Sequence, residues 1–166
     1  MATLLVSDTS VLVDLDRGGI LSAIFQLPYD IGVPDVLYDL ELKDWEGPQL
    51  LALGLRVLAL DGDGVALAQR YRGHDPRLSL PDAFALSLAK TENHILLAGD
   101  ASLRALAEIE EVEVHGVLWV MDAIDAHKIL SPAELLQSLT LIAEHPRCRL
   151  PKGEMQQRLK RFAAQS

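Results

Sequence analysis

The chain has 166 residues, 49% hydrophobic and 23% charged, which is the size and balance of one globular domain with at most a short appendage. That balance excludes a disordered tail protein and a fibrous repeat. The net charge of −9 argues against a general nucleic-acid binder, which would carry a basic surface.

Short apolar runs alternate with longer helical patterns. Residues 3–7 (TLLVS) predict a buried strand ending at Asp8, and 9–17 a helix broken by Gly18-Gly19. Residues 20–27 suit a short helix closed by Pro28. Residues 30–33 predict a strand, and Pro34-Asp35 starts a helix that runs to about Glu46, where Gly47-Pro48 stop it. Residues 55–60 predict a third strand, Asp61-Gly62-Asp63-Gly64 a turn, and 65–72 a helix. After a polar loop, Pro81-Asp82 opens a helix in which Phe84/Leu88 and Ala85/Ala89 share a face. Residues 94–98 (HILLA) predict a strand, 101–109 a helix, and 112–115 an edge strand.

From Gly116 the strand pattern ends. Helices are predicted over 117–128, 131–145 and 153–164, with Ser131 and Glu134 spaced as a capping box. The expected organisation is an α/β domain over 1–120, three-layered with a central, mainly parallel sheet. The remaining 121–166 form a helical extension packed on that domain or making an interface.

The charge is unevenly spread. Residues 147–166 hold six basic residues against Glu154 alone, so the rest of the chain is strongly acidic. The basic tail is expected either to touch RNA or to pair with the acidic body of a neighbouring subunit. Lone Cys148 excludes a disulfide framework and a thiolate-rich metal site, and it fits a reducing cytoplasm. No apolar stretch reaches membrane-spanning length, and MATLLVSDTS has no positive start of the kind a signal peptide shows.

In parallel sheets the site lies beyond the carboxyl ends of the strands. Asp8 directly follows the first strand, in VSDTSVLVDL, and Asp100 follows the strand at 94–98, in LLAGDASLRAL. Asp82 lies in the first turn of its helix, in LSLPDAFALSLAK, and Asp39 within the helix after the second strand, in VPDVLYDLEL. Each has a plain structural explanation: Asp8 and Asp100 as N-caps, Asp82 against a helix dipole, Asp39 on a solvated face. Together, carboxylates at one rim repel each other, so some must take up protons or bind a cation. Oxygen donors without paired His or Cys suit Mg²⁺ or Mn²⁺, ions that serve phosphodiester hydrolysis and let an anionic protein hold a polyanion.

The four strings, in this order, resemble the PIN domain, a small metal-dependent ribonuclease fold found in many toxin–antitoxin nucleases. The resemblance spans roughly residues 4–120. It implies that Asp8, Asp82 and Asp100 hold Mg²⁺ or Mn²⁺. It also implies that Thr9 and Ser10 are the small hydroxyl pair beside the first acid. Asp39 matches the helix-borne acid, usually a Glu followed by Leu; here it is Asp39-Leu40, with Glu41 as the fallback about 200° around the helix. Ala98 departs from the pattern too, since a Thr or Ser often stands there. The implied activity is endoribonuclease cleavage leaving a 5′-phosphate and a 3′-hydroxyl, with RNA as substrate, an antitoxin as a further partner, a homodimer as a further assembly and no membrane. Asp8→Ala and Asp82→Ala are expected to abolish cleavage without loss of fold. The alternative is a catalytically weak PIN-fold module that binds protein.

Other features carry less. Arg70, Arg72 and Arg77 surround the loop before Asp82 and are, with Thr9 and Ser10, the candidate substrate-binding residues. Asp14-x-Asp16 resembles a phosphoaspartate phosphatase start but continues the helix after Asp8, which makes it a solvated helix end. Asp122 and Asp125 read as a surface pair, and Trp45, Trp119 and Phe162 as core or interface. The five histidines lack paired-ligand spacing, and Gly62 and Gly64 lack the lysine of a phosphate loop. A phosphorelay receiver needs an acid pair after its first strand and a strand-end lysine, and this chain has neither.

Overall fold

A computed structural model describes residues 3–166; Met1 and Ala2, which begin the stretch MATLLVSDTS, lie outside them. The first strand, β1 (Leu4–Ser7), is buried along its whole length, as a parallel strand covered on both faces must be. It leads through Asp8 into α1 (Thr9–Arg17), and a 3₁₀ turn over Leu21–Gln26 leads to β2 (Asp30–Pro34). After the next segment come β3 (Arg56–Leu58), α4 (Gly62–His74), α5 (Leu80–Thr91) and β4 (Ile95–Leu97). Then α6 (Ala101–Ile109), β5 (Val114–His115) and three more helices follow.

All five strands are parallel, in the order β3-β2-β1-β4-β5. The chain steps outward from β1 to β3, then returns to the other side of β1 for β4. Right-handed crossovers in opposite directions set α1 and α5 on opposite faces. Accordingly α5 packs on β1, β2 and β4, and its residues Pro81 and Ala83–Ala89 are buried. The reversal of direction between β1 and β4 opens a crevice at their carboxyl ends, where open parallel sheets place their sites.

Two stretches differ from the expected elements. The helix predicted from Pro34 to Glu46 is instead one α turn, α2 (Asp35–Leu37), running into a π turn over Tyr38–Leu42, in which Lys43 N–H donates to the Tyr38 carbonyl at 2.8 Å. An α-helix would hold Leu37 and Leu42 about 140° apart; the wider π turn lets both be fully buried. Gly47-Pro48, read as a stop, starts α3 (Gly47–Leu53), with Pro48 in its first turn, where a missing N–H costs nothing. A Cβ at Gly47 would lie 2.8 Å from the Tyr38 hydroxyl and 3.0 Å from the Leu42 carbonyl oxygen, so a side chain there would force its neighbours to shift.

The C-terminal helices α7 (Val117–Ala126), α8 (Pro132–Glu144) and α9 (Lys152–Gln165) pack onto the α1 side. The Ser131–Glu134 capping box forms, and α8 buries Leu135, Leu139 and Ile142. Phe162 of α9 is fully buried. Asp122, read as half of a surface pair, instead ties α7 to α9: Arg158 donates to it at 2.9 Å and Arg161 at 2.6 Å. Part of the basic tail is thus neutralised within its own chain. Among the described residues no helix is long and apolar enough to cross a membrane.

Candidate active site

At the carboxyl ends of β1 and β4 lies a cavity of about 440 Å³ lined by the carboxylates of Asp8, Asp14, Glu41, Asp82 and Asp100. The sheet register explains two of them. Asp8 N–H continues the ladder by donating to the Leu97 carbonyl at 2.9 Å, so β1 and β4 end side by side and release Asp8 and Asp100 at one rim.

Asp8 is 2% exposed and fully engaged. One carboxylate oxygen accepts from Val11 N–H at 2.9 Å; the other accepts from Gly99 N–H at 2.9 Å and the Ser10 hydroxyl at 2.7 Å. Burial raises its pKa above the ordinary carboxylate value, and those three donors oppose the shift. A Cβ at Gly99 would lie 2.5 Å from the Ser10 hydroxyl oxygen, so a larger residue there would displace that hydroxyl. Asp100 caps α6 through Leu103 N–H at 2.9 Å. The N-cap reading and the cluster reading of Asp8 and Asp100 are therefore both true of the same atoms.

Asp82 stands in the first turn of α5, its N–H donating to the Ser79 hydroxyl at 3.2 Å. Its pKa is pushed up to about 6, first by burial and then by the charges of Asp8, Glu41 and Asp100, with Ser79 opposing. A hydroxyl also orients the fourth acid, as Thr9 donates to Glu41 at 2.7 Å. So Thr9 and Ser10, grouped with the substrate contacts from the sequence, each hold an acid of the cavity.

The favoured helix-borne acid changes. Asp39 is exposed and does not line the cavity, whereas Glu41 does. The π turn accounts for this: it sets Leu42 inward and brings the preceding Glu41 beside Thr9, which no α-helical wheel of this sequence anticipates. Asp14, read as a solvated helix end, faces the cavity half-buried. Burial raises its pKa, and Arg17, 3.4 Å away, opposes the shift.

The expected arginines do not line the cavity either. Arg72 donates to the Leu78 carbonyl at 3.2 Å, Arg77 pairs with Asp75 at 3.2 Å, and Arg70 is exposed. The cations that do line it are Arg17, Arg147 and Arg149. The last two come from the link between α8 and α9, because α8 packs on α1 and ends near the rim. Only the local basic composition of 147–166 hinted at them.

The donors are all hard oxygens, and the neighbouring negative charge that adds to burial at Asp82 is what a divalent cation relieves. In kind the set fits Mg²⁺ or Mn²⁺. Among the described residues no group of three His, Cys, Asp or Glu is arranged to hold an ion as it stands, so binding requires these side chains to draw together.

A family model described as a PIN domain matches residues 4–164, running through the C-terminal helices. Among solved structures, the fold is similar to a PilT N-terminus domain protein from the hyperthermophilic archaeon Sulfolobus solfataricus, at 15% identity and a TM-score of 0.51, covering 75% of this chain and 95% of that one. No curated protein matches the chain at a significant level. PIN domains are typically nucleases that bind divalent metals. Matched from the first strand to the last helix, this chain belongs to the PIN-domain family.

Proposed function

We propose that the chain is an endoribonuclease dependent on Mg²⁺ or Mn²⁺, with its reaction centre at the carboxylate cluster. The observation that supports this most is the juxtaposition of Asp8, Glu41, Asp82 and Asp100, drawn from four separate stretches to one cavity at the β1–β4 crevice. Asp82 and Asp100 are the direct candidates to hold the ion. Asp100 gives only one oxygen to its helix cap. Asp8, held by its three donors beside them, ties the two strand ends together. When bound, the ion would activate water and stabilise charge on the leaving oxygen of a phosphodiester.

The protein supplies position and field. Ser10, Gly99 and Val11 lock the Asp8 carboxylate, and Thr9 steers Glu41. Arg147 and Arg149 bring positive charge to an otherwise acidic rim and suit phosphate oxygens. An inhibitory protein partner, such as an antitoxin, would act by covering this rim.

A second reading has one observation in its favour. All three hydrogen bonds of Asp8 are satisfied within the protein, as they would be in a module that has kept the fold and lost the reaction. A cleavage assay on labelled RNA, with Mn²⁺ or with chelator, separates the two. The nuclease reading expects cleavage that chelator stops and that Asp82→Asn reduces by about a hundredfold or more, a loss of roughly 3 kcal/mol in transition-state stabilisation. Cleavage by Asp82→Asn at the wild-type rate would place the reaction elsewhere.

A further inference from the structure

The acid cavity continues beyond Asp100. Gly99, Arg149 and Leu150 line it and also line a second depression, of about 310 Å³, that passes over Arg104 and Gly116. Arg104, Gly116 and Leu150 in turn line a third, of about 200 Å³, which ends against His115 and Trp119. The three make one track from the acids, past the α8–α9 link, to the free edge of β5.

Arg104, Arg147 and Arg149 make no side-chain ion pair or hydrogen bond among the described residues; beyond the acid cavity the carboxylates that line the track are Glu108, Glu154 and Asp122, the last held by Arg158 and Arg161. In a chain with 24 acidic residues against 15 basic ones, three unpaired guanidinium groups along one groove are not the default outcome. Room is made for one of them: a Cβ at Gly116 would lie 2.5 Å from Arg104 Nη1. At the far end the His115 ring stacks on Trp119, with centroids 4.3 Å apart and planes 7° from parallel.

We infer that this track carries single-stranded RNA on one side of the scissile phosphate, with Arg149 and Arg104 binding successive phosphates and the His115–Trp119 wall receiving a base. The inference rests on the nuclease reading and narrows it to single strands. A row of small depressions suits phosphates presented one at a time, and an aromatic wall can take only a base that is already unstacked. A paired helix offers neither.

The test uses the full-length Asp82→Asn chain with Mg²⁺ present, so that RNA is held without turnover. Fluorescence anisotropy is read with labelled single strands of about 3 and about 12 nucleotides, and with a duplex of the longer one, over a range of salt. Arg104→Ala and Arg149→Ala, each added to that background, are expected to weaken the long strand about threefold to tenfold. Each should also flatten the slope of log affinity against log salt by about 0.7, the loss of one phosphate contact. Arg104→Lys should keep the slope. The short strand should be indifferent to Arg104→Ala, and the duplex should bind more weakly than the long strand. The inference is overturned if the parent binds the long strand and both alanine variants match its affinity and slope, or if the duplex binds as tightly. Should the parent bind no RNA, and the wild-type chain also fail to cleave any, the nuclease reading itself is wrong and this one falls with it.

Discussion

Gly99 and Asp8, 91 residues apart in the chain, share a hydrogen bond: the Gly99 N–H donates to the Asp8 carboxylate at 2.9 Å. With the Ser10 and Val11 donors it makes Asp8 a clamp between the ends of β1 and β4 as well as part of the acid cluster.

Asp8→Ala therefore has two effects, loss of an acid of the cluster and loss of the clamp. It strands the Val11 and Gly99 N–H groups in a buried site, at about 1–3 kcal/mol each. Removal of the buried carboxylate offsets part of that cost, so denaturant unfolding should show a loss of roughly 1–4 kcal/mol alongside loss of cleavage. Gly99→Ala should lose about 1–3 kcal/mol by pushing the Ser10 hydroxyl away from Asp8. An unchanged midpoint in both variants would show that the clamp bears no strain.

At Asp82 no backbone N–H among the described residues donates to the carboxylate, so the cost of burial and of the neighbouring charges is opposed by Ser79 alone. The pKa of Asp82 in the folded chain is raised from 3.8 to about 6, so the folded state binds the proton more tightly than the unfolded state does. The penalty is absent below the unfolded value, grows between about pH 4 and pH 6, and is fully present above. Asp82→Asn should stabilise the metal-free chain at pH 7 by roughly 1–3 kcal/mol, less about 0.5 kcal/mol for the lost helix-dipole contact, and should change little near pH 4. Thermal melts across that range check the sign; destabilisation at pH 7 would contradict it.

Glu41 and Asp39 can be separated directly. Because Glu41 lines the cavity and Asp39 does not, Glu41→Gln should reduce metal-dependent cleavage by about tenfold or more. Asp39→Asn should stay within about twofold. The reverse pattern would restore the acid that an α-helical reading favours.

Asp122 is the only carboxylate that ties Arg158 and Arg161 to α7 among the described residues, apart from a longer approach of Arg161 to Asp125 at 3.9 Å. Asp122→Ala should cost about 1–3 kcal/mol and speed amide exchange in α9 before the rest of the chain. Uniform exchange would mean that Phe162 alone seats the helix.

The parallel architecture was legible because β1 and β4 lie in apolar runs ended by Asp8 and Gly99 and the weaker strand patterns alternate with helical ones. The rule that sites lie past strand ends pointed at Asp8 and Asp100, and the resemblance of LSLPDAFALSLAK added Asp82. What was not legible depended on contacts distant in sequence. A π turn at Tyr38–Leu42 has no composition of its own; it arises because Leu37 and Leu42 are both drawn into the core. Likewise Arg147 and Arg149 reach the cavity only because α8 lies along α1, whereas Arg70, Arg72 and Arg77, closer in sequence to Asp82, are turned elsewhere.

Calorimetric titration of Mn²⁺ into the metal-free wild-type, Asp82→Asn and Asp100→Asn chains at pH 7 addresses the shared cation site most directly. Saturable binding to the wild-type chain, weakened about tenfold or more in each variant, is the predicted result. Mn²⁺ binding of equal strength in all three chains, or none in any of them, would contradict it.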